Sequence, residues 1–318
     1  MIQTRQDEAS AVTAHPVLFE SIAALAQRAS IETSAKNLVE IDAYPTMVPV
    51  GTDVYVAWVP GFPYHHIVSV AKRLRQAGLN PVPHIAARQL ASESVATDFL
   101  ARLRDEAAVT RALVIAGDSN ARTGPFESSL SLMRTGLLQE HGIRSIGIAG
   151  YPEGHRKIGT ATLEQALEGK IDYAGREGID LFIVSQFCFD GQAILDWIER
   201  LRARGVTLPV RVGVAGPATV RTLLGYGMRC GIGNSIRALG SQAISLTRLL
   251  AQQGPEKIIR RIARSQAGLG IAGLHFFPFG GFAQSARWIN NTAAGRFQFV
   301  ELDESFTIKS DDYANHRQ

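Results

Sequence analysis

The sequence is poor in cysteine and in long apolar runs, and each shortage excludes a class of protein. Cys188 and Cys230 are the only cysteines among 318 residues, and they form no CxxC pair. This excludes a disulfide framework and argues against a zinc site, so we expect no bound metal. No apolar stretch reaches 18 residues, and the first residues lack the apolar core of a signal peptide. We therefore expect a cytoplasmic protein without a membrane segment.

The charged residues form no blocks of one sign. The formal net charge is +4 at pH 7 and the isoelectric point is about 9.2, yet lysine and arginine never occur five or six in a row. Segments that bind nucleic acid usually cluster their basic residues, so we expect no nucleic-acid partner. A mildly basic enzyme for an anionic substrate fits the same composition.

Short apolar runs rich in valine and isoleucine recur along the chain. Most are separated by segments of helical periodicity, and near-continuous apolar runs are typical of parallel strands buried on both faces. Eight strand–helix units predict a (β/α)8 TIM barrel, with a doubly wound sheet as the alternative. The runs lie at residues 38–44, 54–59, 81–87, 112–118, 145–151, 180–187, 209–216 and 273–279.

The barrel is expected to fill residues 31–300. Residues 1–30 are predicted to form a frayed tail and then an amphipathic helix over 16–29, an N-terminal extension suited to plugging the barrel bottom. Residues 301–318 are mostly polar and are predicted to be a C-terminal tail.

Glu40 is the first candidate catalytic residue, because a barrel carries its chemistry at the C-terminal ends of its strands. It lies near the end of the first predicted strand, 38–44. A carboxyl group at an apolar barrel mouth can have a raised pKa and act as a general acid, whereas a salt-bridged structural glutamate is the alternative. Asp42 shares the same predicted face, and the pattern does not decide between the two.

Two other strand ends carry groups suited to a heterocyclic ligand. Gly117 lets a ligand approach the backbone, and Asp118 can bind adjacent N–H donors such as those of a pterin. Capping the following helix is the alternative role for Asp118. Gln186 offers a donor and an acceptor on one planar group between aromatic residues, which suits either bidentate contact with a ring or a satisfied core amide.

The stretch GYPEGHRK follows the fifth apolar run. In it, Tyr151 can stack on a ring, Pro152 ends the strand, and His155 can donate to a phosphate or ribose. The segment GLGIAG at 268–273 matches the G-x-G-x-x-G pattern, but it follows a helix and precedes a strand. We interpret it as a helix cap and tight turn rather than a dinucleotide fingerprint.

Five short motifs occur in one order along the chain, and together they resemble the methylenetetrahydrofolate reductase family, whose fold is a (β/α)8 barrel. The resemblance covers about residues 36 to 295. The matching motifs are Pro83-His84, Gly117-Asp118, Ala149 to His155, SQFCFD at 185–190 and GLHFF at 273–277.

The resemblance implies a hydride relay. In the family, NAD(P)H reduces FAD, and reduced FAD converts 5,10-methylenetetrahydrofolate to 5-methyltetrahydrofolate. Glu40 is similar to the glutamate that protonates the folate as its ring opens, Asp118 to the catalytic aspartate that binds the pterin beside the flavin, and Gln186 to the amide that contacts the pterin. The expected folate contacts are Glu40, Asp118, Gln186, Phe187 and Phe276. The expected cofactor contacts are Ala57, Trp58, His84, Gly117, Asp118, Tyr151 and His155.

The chain departs from the family pattern mainly at flavin contacts. Ala57 replaces a threonine, and Ala116 replaces an arginine before the Gly-Asp pair. We expect FAD binding to be weakened by such losses, each worth about 1 to 3 kcal/mol for a buried charged contact.

The sequence is therefore compatible with three hypotheses of function. The first is a flavin-dependent reductase, or the same enzyme running in reverse as a methyl oxidase. In the second, NAD(P)H transfers hydride directly, with Trp58 or Phe279 filling the flavin space. The third is a non-catalytic tetrahydrofolate-binding protein. Family members commonly form oligomers, so a homo-oligomer is possible.

Overall fold

Eight parallel strands close into a barrel, which confirms the predicted (β/α)8 fold. The computed structural model describes residues 16–59, 61–117, 123–232 and 249–309. Each strand pairs with its sequence neighbours, and the last pairs with both the seventh and the first. The strands are β1 (Ser30–Ser34), β2 (Asp53–Ala57), β3 (Asn80–Ala86), β4 (Arg111–Ile115), β5 (Ser145–Gly150), β6 (Asp180–Ser185), β7 (Val210–Ala215) and β8 (Ile271–Phe277).

Helices surround the barrel and bury their apolar stripes against it. In the helix after β2, for example, Ile67, Val70, Ala71 and Leu74 recur at helical spacing and are buried. The helices are α1 (16–27), α2 (Tyr64–Gln76), α3 (Glu93–Ala107), α4 (Ser129–Met133), α5 (Leu137–Glu140), α6 (Thr160–Glu177), α7 (Gly191–Ala203), α8 (Val220–Cys230), α9 (Glu256–Ser265) and α10 (Phe282–Ala293). No helix among the described residues is long and apolar enough to cross a membrane.

The first strand lies earlier in the chain than predicted. The prediction of a strand at 38–44 is wrong, because Ile41–Thr46 forms a 3-10 helix that buries Ile41 and Tyr44. The strand is instead Ser30–Ser34, with the sequence SIETS. Ile31 faces the outer core, whereas the alternate side chains face the barrel interior. This interior face is polar, so β1 carries no continuous apolar run.

The barrel interior is filled in layers. At the bottom, Asp53 Oδ2 lies 2.7 Å from Arg111 Nη1 and 3.2 Å from Arg211 Nη2. An apolar layer comes next, formed by Tyr55, Val82, Leu113, Phe182 and Val184. These two layers close the lower half of the barrel, so any chemistry is confined to the upper half.

The N-terminal extension covers the bottom of the barrel. The backbone carbonyl of Arg28, just after α1, accepts a hydrogen bond from Arg211 Nη1 at 3.0 Å. Phe19 of the same helix stacks on Phe297 with ring centroids 4.2 Å apart. The extension is thereby tied both to the lowest layer and to the C-terminal end of the chain.

The described part of the C-terminal segment contains a hairpin of β9 (Phe297–Val300) and β10 (Ser305–Ile308). Phe306 is buried, as is the side chain of Arg260 on α9. Arg260 donates to the carbonyl oxygens of Val300 and Ser305, at 3.1 and 2.6 Å, and to both carboxylate oxygens of Glu301. The first part of the predicted tail is therefore packed against the barrel.

We expect Arg260→Met to lower the free energy of unfolding by about 3 kcal/mol, since it removes a buried guanidinium that donates to two backbone carbonyls and to Glu301. Urea denaturation measures this. The matched control is Arg264→Met on the same helix, whose 3.1 Å ion pair with Glu304 is exposed. That change should cost less than about 1 kcal/mol. Equal losses in the two variants would contradict the role given to Arg260.

Candidate functional site

Four polar side chains meet inside the barrel directly above the apolar layer, to which Tyr55 also belongs. Glu32 comes from β1, Tyr55 from β2, His84 from β3 and His275 from β8. Glu32 Oε2 lies 3.5 Å from His84 Nε2 and 3.7 Å from His275 Nε2. The Tyr55 ring lies 4.4 Å from the His275 ring, centroid to centroid. We call these four residues the acid–imidazole cluster.

The cluster contains polar atoms that the described part of the chain leaves without hydrogen bonds. Glu32 Oε2, Tyr55 Oη, His84 Nε2 and His275 Nε2 are all buried, and none has a partner among the described residues. Buried polar groups in native proteins are nearly always hydrogen-bonded, so each such group calls for an explanation. Four of them in one cluster are typical of a site that binds a polar ligand.

Burial also sets the charge of the cluster. It raises the pKa of Glu32, with a smaller opposing effect from nearby His84. Burial lowers the pKa of His84 and lowers that of His275 to about 3, aided by the positive charge of Arg211. These directions favour an uncharged cluster in which the carboxyl proton stays on Glu32.

The barrel wall above the cluster is lined by small residues. The alternation that points Tyr55 and His84 inward does the same for Ala57 and Ala86, two positions further along each strand. Gly117 follows β4 with a φ of +93°, and a Cβ there would lie 3.3 Å from the Cβ of Ala86. Glycine is needed for this backbone conformation, and its size keeps the mouth open.

An aromatic wall stands on the opposite side of the mouth, formed by Phe187, Tyr226, Phe277 and Phe279. Tyr226 and Phe279 stack with centroids 4.0 Å apart, and Phe187 packs edge-on against Phe279 at 4.8 Å. Phe277 reaches the cluster through an edge contact of 4.8 Å with His275. A planar ring entering the mouth would therefore meet aromatic faces beside an acid.

A separate cavity of about 530 Å³ lies between α6 and α7 and reaches the end of β5. Helix α6 buries only Ala174 along its 18 residues, and its half-buried Leu163 and Leu167 line the cavity. The volume is within the ordinary range for small-molecule sites. Its lining also includes Tyr151, Lys170, Trp197, Arg200 and Arg204.

The cavity is lined by charges of both signs, with Lys170, Arg200 and Arg204 among Glu153, Glu164, Asp190 and Asp196. Burial lowers the pKa of Lys170, and an anionic group beside the ammonium would offset that desolvation. Arg204 is already paired with Glu164 at 2.6 Å. Gly150 borders the cavity, and a Cβ there would lie 2.6 Å from the Trp197 ring. The indole thus packs directly on the backbone of β5.

Several predicted site residues do lie at the mouth. His84 belongs to the acid–imidazole cluster, and Phe187 to the aromatic wall. Gln186 follows β6, where its Oε1 accepts from the backbone N–H of Phe187 at 3.1 Å. Tyr151 and His155 follow β5 and contact each other edge-on at 5.1 Å.

Other predicted site residues lie elsewhere. Glu40 is exposed at the start of the 3-10 helix, and its Oε2 accepts from Asn37 Nδ2 at 3.2 Å. Trp58 faces the outer core, where its ring lies 5.3 Å from that of Phe99. Phe276 also faces outward, against Trp288. Asp118 lies outside the described residues. We therefore correct the assignments of Glu40, Trp58 and Phe276, which depended on a misplaced strand or on the wrong face of a strand.

The sequence interpretation missed Glu32 and Tyr55. Glu32 lies in SIETS, where apolar and polar residues alternate, and such alternation is itself a strand signal. Tyr55 was read as part of an apolar run, although its hydroxyl is buried in the barrel interior. Counting alternate positions from each strand would have placed both side chains inward.

Comparisons with known proteins place the chain in a family. The family model described as methylenetetrahydrofolate reductase matches residues 32–224, more than half of the chain. Methylenetetrahydrofolate reductase 2 of Saccharomyces cerevisiae is 31% identical over 83 residues, which are 25% of this chain and 13% of that protein. Methylenetetrahydrofolate reductase 1 of Schizosaccharomyces pombe is 36% identical over 70 residues, which are 22% of this chain and 11% of that protein. The matches therefore span about a tenth of the length of these curated relatives.

Among solved structures, the dihydropteroate synthase of Thermus thermophilus is 12% identical with a TM-score of 0.43. The match covers 82% of this chain and 90% of that one. The barrel topology is established by the strand pairing itself. The family match begins at Glu32 and runs through the strands that supply Tyr55 and His84 to the cluster. The chain belongs to the methylenetetrahydrofolate reductase family.

Proposed function

We propose that this protein interconverts 5,10-methylenetetrahydrofolate and 5-methyltetrahydrofolate by hydride transfer. The observation that carries the proposal is a buried carboxyl group, Glu32, whose pKa is raised by burial and which lies beneath the barrel mouth and its aromatic wall. Glu32 takes the role of general acid that the sequence analysis gave to Glu40. Family membership supports the same substrate class.

The acid has a defined task in this reaction. Opening the imidazolidine ring breaks the bond between the one-carbon bridge and one folate nitrogen, and that nitrogen must gain a proton as it leaves. Glu32 donates this proton, and the remaining iminium carbon accepts the hydride. A carboxyl group with a raised pKa holds its proton near neutral pH and so suits this role.

The mouth offers contacts for the rest of the substrate. The faces of Phe279 and Tyr226 suit the planar rings of the folate. The carboxamide of Gln186 keeps its amino group available for a ring acceptor, since its Oε1 is engaged by the N–H of Phe187. We propose that Gln186 and Phe187 contact the folate, together with Asp118.

The cavity between α6 and α7 fits the ADP half of a dinucleotide. Trp197 and Tyr151 provide aromatic surfaces for an adenine, and Lys170 and Arg200 provide cations for a pyrophosphate. Because the cavity reaches the end of β5 and is bordered by Tyr151, a dinucleotide bound there would lie next to that strand end. When bound, FAD or NAD(P)H supplies the hydride.

A second candidate is direct hydride transfer from NAD(P)H without a flavin. It is favoured by Phe279, which stacks on Tyr226 and could occupy flavin space, and by Ala57, whose side chain offers no polar contact. Both candidates use the same acid and the same folate, and they differ only in the hydride donor.

The test is turnover of 5,10-methylenetetrahydrofolate with NADH or NADPH, with and without added FAD. Dependence on FAD supports the relay, and full activity without it supports direct transfer. Lys170→Met should weaken binding of the dinucleotide about tenfold without changing the KM for folate, since a charged hydrogen bond contributes about 1.5 kcal/mol or more. The control is Lys257→Met, an exposed lysine that is paired with Asp303 and does not line the cavity. No turnover with either nucleotide in either condition would refute the proposal.

A further inference from the structure

The imidazole of His275 contacts a buried serine, Ser30, through its Nδ1 atom. Ser30 Oγ lies 3.0 Å from His275 Nδ1 and 3.3 Å from the carbonyl oxygen of Leu274. All three groups are buried, and Ser30 is fully inaccessible to solvent. The contact joins β1 to β8 on the side of the imidazole that faces away from Glu32.

The serine hydroxyl has a single hydrogen to share between two neighbours. The Leu274 carbonyl can only accept, so a hydrogen bond to it uses the hydroxyl hydrogen. His275 Nδ1 must then carry a hydrogen and donate it to Ser30 Oγ. With the ring neutral, Nε2 is left with a bare lone pair, and it is Nε2 that lies 3.7 Å from Glu32 Oε2.

We propose that Ser30 holds His275 in the Nδ1–H tautomer, so that the lone pair of Nε2, 3.7 Å from Glu32 Oε2, disfavours the carboxylate and helps to keep Glu32 protonated. Ser30 and His275 are thus positioning residues that act through Glu32. This inference rests on the proposed function of Glu32 as an acid. The opposite tautomer would turn an Nε2–H toward Glu32 and stabilise its carboxylate instead, which would leave no proton to donate.

Other groups around the cluster are compatible with this assignment. Tyr55 lies opposite Glu32 on the adjacent strand β2, and His84 faces Glu32 from β3. Below them, Asp53 on β2 is paired with Arg111 on β4 and Arg211 on β7. On β5 and β6 the corresponding positions are Gly147 and Phe182, which carry no charge. The positive charge of Arg211 lowers the pKa of His275. The imidazole is therefore treated as a neutral ring in either tautomer.

The experiment measures the tautomer directly in the unliganded protein. Selective ¹⁵N labelling of histidine distinguishes Nδ1–H from Nε2–H by NMR, and His275→Gln assigns the signal. The same samples, with ¹³C-labelled glutamate carboxyls, give the pKa of Glu32, assigned with Glu32→Gln. Variants Ser30→Ala and Ser30→Thr are compared, with Thr33→Val on the outward face of β1 as the matched control.

We expect the Nδ1–H tautomer in the unaltered protein. In Ser30→Ala the Nε2–H form should appear and the pKa of Glu32 should fall by about one unit. Ser30→Thr, which keeps a hydroxyl, and Thr33→Val should leave both unchanged. An Nε2–H tautomer in the unaltered protein overturns the inference without any variant, and so does an unchanged Glu32 pKa in a folded Ser30→Ala protein. Because neither readout needs turnover, a failure here is separable from a failure of the proposed function.

Discussion

Replacing Glu32 with glutamine should reduce kcat about 10²- to 10⁴-fold, the usual contribution of a general acid. Glutamine keeps the size of the side chain and fits the buried site, so the change removes mainly the proton. Folate affinity should stay within a few-fold, because the binding surfaces of Gln186 and the aromatic wall are untouched. Steady-state turnover and equilibrium binding of folate measure the two effects separately.

The pH dependence of activity gives a second test of the role of Glu32. Because burial raises the pKa of Glu32, the acid form persists to higher pH than in an ordinary glutamate. Activity should be present below that pKa and fall as pH rises through it. In Glu32→Gln this alkaline fall should vanish from the residual rate. Glu40→Gln serves as the control, since that carboxylate is exposed, and a comparable loss of rate there would contradict the assignment.

Gly213→Ala should destabilise the protein by about 3 kcal/mol, because overpacking forces backbone or side chains to shift. A Cβ at Gly213 would lie 2.2 Å from the carbonyl oxygen of Ser185 and 2.9 Å from the Phe277 ring. The Gly213 N–H also donates to Ser185 Oγ at 2.8 Å, so the two strands cannot separate without losing that bond. Thermal or urea denaturation measures the loss.

Gly225→Ala provides the comparison for this prediction. Gly225 lies inside α8, and a Cβ there would meet nothing within 4 Å. Alanine has a higher helix propensity than glycine, so the change should stabilise the protein by up to about 1 kcal/mol. If both substitutions had the same effect, the close approach at Gly213 would not be a determinant of stability.

Seven of the eight strands could be predicted from apolar runs, and with them the fold. β1 is not apparent from the sequence, because an apolar run indicates only strands that are apolar on both faces. The inner face of β1 carries Ser30 and Glu32, which belong to the candidate site and leave β1 without a continuous apolar run. The apolar run at 38–44 does contain buried residues, Ile41 and Tyr44, but they lie in a 3-10 helix rather than in a strand.

The candidate site was harder to predict than the fold. The sequence motifs indicate the correct strand ends, including those of His84 and Gln186. Which side chains face the barrel interior depends, however, on the register of each strand. Trp58 and Phe276 sit one position away from inward-facing residues, and a shift of one residue reverses the face. His275 was present in a recognised motif, yet only the closure of β8 onto β1 brings it beside Glu32.

The layered floor of the barrel also determines how Glu32 exchanges protons with water. Beneath the acid lie a packed apolar layer and then the Asp53–Arg111–Arg211 ion pairs. These layers leave the mouth as the side from which water can reach the carboxyl group. If folate binds at the mouth as we propose, it would separate Glu32 from water while it is bound. Glu32 would then regain a donated proton only after the product has left.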